Sequence, residues 1–272
     1  MTFDIMDLAA ILRDAARAEA LPRFRRLDTS MVKVKTEAID LVTEADVATE
    51  NVIKARIAQW MPEALFVGEE SVAADPALLP RLATADLAVV VDPIDGTANY
   101  AAGLPLFATM ASVVSKGEAV AGIIYDPMGD DWVMAERGGG AWLRRPGGEA
   151  VRLSVAPPLP LAQMVGTASV AFMPAKSRAQ VLSNFTKVRM VANYRVAGHE
   201  YRTFVSGHTQ FVCFNKLMPW DHLAGVLISQ EAGAYAARLD GAPYLPSHVD
   251  GGLLVALNRD AWAELRREVF VF

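Results

Sequence analysis

The chain has 272 residues, 53% of them apolar and 21% charged, with a formal net charge of −5. That length supplies one large domain or two medium ones with a substantial buried core. No apolar run is long enough to span a bilayer, and the acidic balance argues against a dedicated nucleic-acid partner.

The first stretch, MTFDIMDLAAILRDAARAEA, carries acids and arginines through its apolar pattern. It reads as an amphipathic helix with Ile5, Leu8, Ile11, Leu12 and Ala15 on one stripe, and not as a secretory leader. Cys213 is the single cysteine, so an internal disulfide and a cysteine-based metal cluster are excluded, which fits a cytoplasmic protein. Residues 32–46 read as a charged loop. From about Ala45 a helix is expected through Val47, Val52, Ile53, Ile57 and Trp60, with Pro62 closing it. ALFVGEES is a short strand ending at Gly68, and ADLAVVVDPIDGT a second strand ending at Asp92. LFATMASVVSKGEAVAGIIYDP reads as a hairpin turning at Lys116–Gly117, and DWVMAERGGGAWL as another. The prolines of APPLPLAQ (156–163) mark a passage between halves. Beyond them strands (MVGTASV, VRMVAN, TQFVCFN, GLLVALN) alternate with helical segments (HEYRTFVSGH, PWDHLAGVLISQEAG, RDAWAELRREVF). The alternation predicts an α/β or α+β protein with two lobes, 1–155 and 156–272, packed as one unit.

Acids recur where apolar strands finish: Glu69 and Glu70 end LFVG, and Asp92 and Asp95 end LAVVV. Loops at strand ends are where such folds place ligands. Pro93 fixes φ and removes a donor, so a tight turn can aim both aspartates at one point. Two such anions repel unless a cation lies between them, and a hard divalent ion such as Mg²⁺ takes oxygen ligands of this kind. If a helix or turn opens at Gly96–Thr97, its N–H groups suit a phosphate. A metal cage beside an anion cradle is the chemistry of phosphate-ester hydrolysis. Taken alone, D-x-x-D before glycine is more often an Asx turn, and Glu69–Glu70 more often an exposed strand end. Asp221 follows Trp220 at a helix start, where N-cap acids sit.

DPIDGTANY after an apolar strand resembles the first signature of the inositol monophosphatase family of Mg²⁺-dependent phosphatases. WDHLAGVLISQEAGA (220–234) resembles the second, and GEES (68–71) and DLVTEAD (40–46) match the remaining blocks in order and spacing. The resemblance implies a layered α-β-α-β-α sandwich, a homodimer and sensitivity to lithium. It implies that Glu69, Asp92 and the main-chain carbonyl of Ile94 hold one Mg²⁺, and that Asp92, Asp95 and Asp221 hold a second. Thr97 and Asp46 would orient and deprotonate the attacking water, with Glu69 also counted in the catalytic set. Gly96 and Thr97 would present N–H groups to the phosphate, and attack would be in line without a phosphoenzyme. Glu70, Asp40 and Lys35 match positions near a weaker third metal or its loop.

The substrate end departs from the family pattern. Inositol-specific members place a glutamate seven residues before the helix-opening aspartate, where this chain has Phe214. GHEYRTF (198–204) puts His199, Glu200 and Tyr201 where small residues are usual. Phe214 fits core and pocket equally, and His199 a structural or a recognition role; Glu200 and Arg202 could meet a polar substrate group. The expected activity is hydrolysis of a small soluble phosphate ester resembling inositol monophosphate. Histidinol phosphate, fructose 1,6-bisphosphate and adenosine 3′,5′-bisphosphate are alternatives; for the latter two, Lys216 or Arg195 would supply positive charge. A non-catalytic partner role in transcription or ribosome biogenesis is the reading from another class. The intact set Asp46, Glu69, Asp92, Asp95, Thr97 and Asp221 argues for an enzyme, because clustered buried charge is costly without a use.

Overall fold

A computed structural model describes residues 3–27, 32–34 and 41–271. Helix α1 (Ile5–Ala15) is capped by the Asp4 carboxylate, which accepts from Met6 N, and it buries the predicted stripe. It passes through a π-helical turn, Ala16–Ala20, into the short α2 (Leu21–Arg23), where Pro22 cannot donate to the helical ladder. The Tyr100 hydroxyl donates to Ala20 O at 2.7 Å. The segment expected as a loop contains an antiparallel pair, β1 (Val32–Val34) with β2 (Leu41–Thr43). Lys35 and Asp40 lie outside the described residues. Helix α3 (Glu44–Trp60) opens on a capping box in which Thr43 and Asp46 satisfy each other's backbone.

The first sheet has seven strands: β3 (Leu65–Gly68), β4 (Leu87–Asp95), β5 (Ala108–Ser115), β6 (Glu118–Asp126), β7 (Asp131–Glu136), β8 (Ala141–Arg144) and β9 (Val151–Leu153), paired in sequence order. Helices α4 (Glu69–Ala74) and α5 (Leu78–Leu82) return β3 to a parallel β4; the other pairs are antiparallel. Every residue of β4 is buried, as its apolar run demands of a strand covered on both faces. The strand does not stop at Asp92. It continues to Asp95, with its register against β5 shifting between the two aspartates, across Pro93. The β5–β6 hairpin turns at Lys116 and Gly117 with φ of 51° and 78°, a primed turn matched to strand twist. After β4, Gly96 leads into the single-turn α6 (Thr97–Ala101).

The second sheet has the order β11-β10-β12-β14-β13, built from β10 (Val165–Ala168), β11 (Met190–Ala192), β12 (Phe211–Phe214), β13 (Tyr235–Arg238) and β14 (Leu253–Ala256). Helices α7 (Ala175–Asn184), α8 (Ala197–Val205), α9 (Pro219–Glu231) and α10 (Arg259–Glu268) complete it. The sequence patterning did not separate out α7 or β13. Alternation along the first sheet assigns its two faces. Val89, Val91, Val113 and Ile123 pack with α1 and α3, whereas Met110, Ile124 and Val133 pack with Tyr201, Phe204 and Ala224 of α8 and α9. Helix α10 lies against β13 and β14. The layers are therefore α-β-α-β-α, as the resemblance implied. Helix α9 is almost wholly buried because it lies between the sheets. Its approach is close: a Cβ on Gly122 of β6 would sit 2.8 Å from Ala224 Cα.

Candidate active site

The end of β4 and the first turn of α9 converge. Asp92, Asp95 and Asp221 each place a carboxylate oxygen within 4.8 Å of the other two. Asp221 is not the cap of its helix: Met218 is, with Pro219 first in the helix, so Asp221 projects from the third helical position. Burial, then the charges of Glu69, Asp95 and Asp221, holds the Asp92 carboxyl well above the usual range. Burial likewise raises Asp95 to about 7, against hydrogen bonds from Gly198 N and Ala197 N, and raises Asp221. Asp92 Oδ1 is buried with no hydrogen-bond partner among the described residues. An orphaned carboxylate oxygen facing two more acids fits a hard divalent cation better than any internal partner. Glu69, the first residue of α4, falls outside the 4.8 Å group, yet its charge acts on Asp46, Asp92, Asp95 and Asp221.

Beside the acids lies a chain of hydroxyls and carboxylate. Thr97 Oγ1 is 2.9 Å from both Asp46 Oδ1 and the carbonyl of Ile94. Asp46 Oδ2 accepts from Thr43 N at 2.8 Å and Thr43 Oγ1 at 2.5 Å, which fixes the carboxylate in one orientation. Burial raises its pKa to about 6, opposed by the Thr43 bond and reinforced by Glu69. Gly96 adopts φ of 86°, and a Cβ there would lie 2.9 Å from Val196 Cβ, so glycine is required by both backbone and space. The turn lets α6 start beside the acids, and Gly96, Thr97 and Ala98 line a cavity of about 930 Å³.

A second part of the cavity lining is different in kind. Phe214 is buried and also lines the cavity; its ring packs 4.5 Å from His222 and 5.1 Å from Tyr201 between centroids. Core and pocket are thus one role here. His222 donates from Nε2 to Lys216 O at 2.8 Å, and burial lowers its pKa to about 4, so it is a neutral prop for the Phe214–Lys216 turn. Lys216 Nζ sits 5.2 Å from the Phe172 ring centre, and Arg195 lines the same side. Glu200 borders the cavity from α8 and accepts from Tyr194 N at 2.8 Å; burial raises it to about 7. His199 is not among the cavity-lining residues. Its Nε2 donates to Phe107 O at 3.1 Å, and Arg202 pairs with Asp131, so both brace β5–β7. Glu70 also leaves the cavity, its N–H bound to Glu50. Thr43 and Glu50 were passed over in the sequence. The spacing of Thr43 and Asp46 before a helix would have revealed the first, and the helical step from Asp46 the second.

The sequence profile of the inositol monophosphatase family matches residues 5–269. An inositol-1-monophosphatase of Mesorhizobium japonicum is 30% identical over 80% of this chain and 79% of its own length. A histidinol-phosphatase of Streptomyces coelicolor is 31% identical over 88% of both chains. The solved structure of the Thermotoga maritima IMPase superposes with a TM-score of 0.81 at 25% identity, covering 98% of each chain. The fold is that of solved IMPases, and the curated relatives are named as phosphatases. The chain belongs to the inositol monophosphatase family.

Proposed function

We propose that the protein is a Mg²⁺-dependent phosphomonoesterase acting on a small soluble phosphate ester. The observation that carries this reading is the buried, unpartnered Asp92 oxygen within the Asp92–Asp95–Asp221 cluster, facing a large cavity beside α6. Glu69, Asp92, Asp95, Asp221 and the Ile94 carbonyl would hold two or three Mg²⁺ ions. The cations would supply Lewis acidity at the phosphate and a lowered pKa for water.

The chain's own groups do the rest. Thr97 Oγ1 has one proton and two acceptors at 2.9 Å. With its proton donated to Asp46 Oδ1, the Thr97 hydroxyl would keep its lone pairs for a proton of an incoming water. Asp46, held by Thr43, takes up the proton load through that hydroxyl. The N–H groups at Gly96 and Thr97 cradle the phosphate for in-line attack, with no phosphoenzyme. Both lobes, 1–155 and 156–272, would contribute, the second through Asp221 and the specificity wall.

On that wall, Phe214 offers no acceptor to a polyol hydroxyl, while Lys216 and Arg195 supply positive charge. The missing acceptor disfavours inositol 1-phosphate, and the positive charge favours fructose 1,6-bisphosphate or adenosine 3′,5′-bisphosphate, whose second phosphate it would meet; histidinol phosphate, with its own amine, would look to Glu200 instead. The family resemblance further carries the expectations of a homodimer, lithium inhibition and a cytoplasmic site of action. No helix among the described residues is long and apolar enough to cross a membrane. The test is phosphate release from these four esters with and without Mg²⁺. Mg²⁺-dependent turnover of at least one supports the reading. Silence on all four overturns the proposed substrate class, and a preference for inositol 1-phosphate overturns the role given to Phe214.

A further inference from the structure

Helix α3 carries a second buried carboxylate one turn beyond Asp46. Residues four apart share a helix face, so Glu50 stacks beside Asp46, and Lys54 follows one turn later. Glu50 is 3% exposed. Its Oε2 accepts from Glu70 N at 2.7 Å, and its Oε1 accepts from Ser71 N at 2.7 Å and Ser71 Oγ at 2.6 Å. Lys54 Nζ in turn donates to Ser71 Oγ at 3.3 Å. A buried carboxylate is tolerated when several donors of this kind surround it. The backbone has been shaped to let it in: a Cβ on Gly68 would overlap the Glu50 carboxyl, with Oε1 only 2.7 Å away.

These contacts enclose one residue. Glu69 stands between Gly68, which must remain bare, and Glu70 and Ser71, whose N–H groups are bound. We propose that Glu50 is a positioning residue for the cation site, fixing the backbone from which Glu69 reaches the acid cluster. Through the rigid α3, this support is held in register with Asp46 and the Thr97 hydroxyl. One helix face thereby sets the spacing between two parts of the site that are remote in sequence. The inference rests on the metal-site reading of Glu69 given above.

The test uses the full chain, with Glu50→Gln and Ser71→Ala compared with the unaltered protein. Calorimetric titration with Mg²⁺ alone gives the Kd, and thermal melting without metal gives the stability. The Mg²⁺ dependence of phosphate release gives a third readout. Outer partners of metal ligands set affinity by roughly 10–100-fold. Glu50→Gln is expected to weaken Mg²⁺ binding by about tenfold or more, with lost turnover recovered as Mg²⁺ is raised. Ser71→Ala, which keeps both backbone donors, is expected to cost about two- to threefold. If Glu50→Gln does not fold, Glu50→Asp decides: it keeps the charge but draws it back from the Glu70 and Ser71 N–H groups, and the same loss of Mg²⁺ affinity is expected. A lowered melting temperature with the Mg²⁺ Kd unchanged within about twofold reduces Glu50 to packing and overturns the proposal. Failure of the unaltered chain to bind Mg²⁺ at all would take down the metal-site reading as well, so the two failures are told apart.

Discussion

The two sides of the cavity are built by different means. The anionic side is nearly contiguous: Asp92, Ile94, Asp95, Gly96 and Thr97 run from the end of β4 into α6, and only Glu69, Asp46 and Asp221 come from elsewhere. Backbone restraints set it, through the shifted register between Asp92 and Asp95, the left-handed Gly96 and the Thr43–Asp46 capping box. The rest of the wall is gathered from separate segments, with Phe172, Arg195, Glu200, Phe214 and Lys216 each on its own turn or element. Its charge is mainly cationic and its surface partly aromatic. A side fixed by local backbone geometry can hold reacting groups to a fraction of an ångström. A side assembled from tips of loops and strands can be rebuilt residue by residue without disturbing that geometry.

The sharpest way to break this division is Asp92→Asn. It preserves shape while removing the buried charge at the centre of the acid cluster, so phosphate release should fall by about a thousandfold or more with the fold intact. Turnover surviving that substitution would show that the cations, if bound, sit elsewhere. Thr97→Ala tests the neighbouring hydroxyl. Loss of about a hundredfold in kcat is expected, with Thr97→Ser restoring most of it, because proton handling by a placed group has that size. An equal loss in the serine variant would point to backbone damage instead.

The wall is sharpened by the opposite manoeuvre, a gain. Phe214→Glu should raise kcat/KM for inositol 1-phosphate relative to the preferred ester by about 10–100-fold, while leaving Mg²⁺ affinity alone. The introduced carboxylate would replace a ring packed on Tyr201 and His222, so the melting temperature must be followed in parallel. A change in Mg²⁺ affinity of the same size would mean that the two sides are not separable.

The same division explains what could be read from the sequence. The strand ending in DPID, the glycine turn and the helix-opening aspartate are adjacent residues whose chemistry survives as a string. Elements with strong periodicity, such as α1 and the β5–β6 hairpin, were equally legible. Residues 32–46 misled because Lys33, Lys35, Glu37 and Asp40 mask the short pairing of β1 with β2. The expected end of β4 at Asp92 falls short because an aspartate and a proline look like a stop, whereas β5 continues to pair beyond them. His199 invited a pocket role by its chemistry. Only the three-dimensional path of α8 shows it turned to Phe107, with Glu200 at the cavity instead. Glu50 shows in the sequence only as a helical step from Asp46, since its partners are mainly backbone N–H groups.

Glu200 gives the smallest expected effect and the most direct probe of the wall's electrostatics, being an acid on the cationic side. Its carboxyl lies at about 7 in the fold against an ordinary value of 4.5, with burial the leading cause and the Tyr194 N–H opposing it. Between pH 4.5 and 7 the unfolded chain has released this proton while the folded chain keeps it. The native state therefore binds more protons, and stability falls as pH rises through that window. Glutamine at this position cannot ionise and can still accept from Tyr194 N. In metal-free protein, Glu200→Gln should raise the melting temperature at pH 8 by about 3–6 °C, and the gain should shrink toward zero near pH 5. A gain that is the same at both pH values would mean that the N–H groups of Tyr194 and Arg195 already compensate the charge against burial. In that case Glu200 stays ionised in the fold, and its negative charge works against the wall's selection of an anionic substrate.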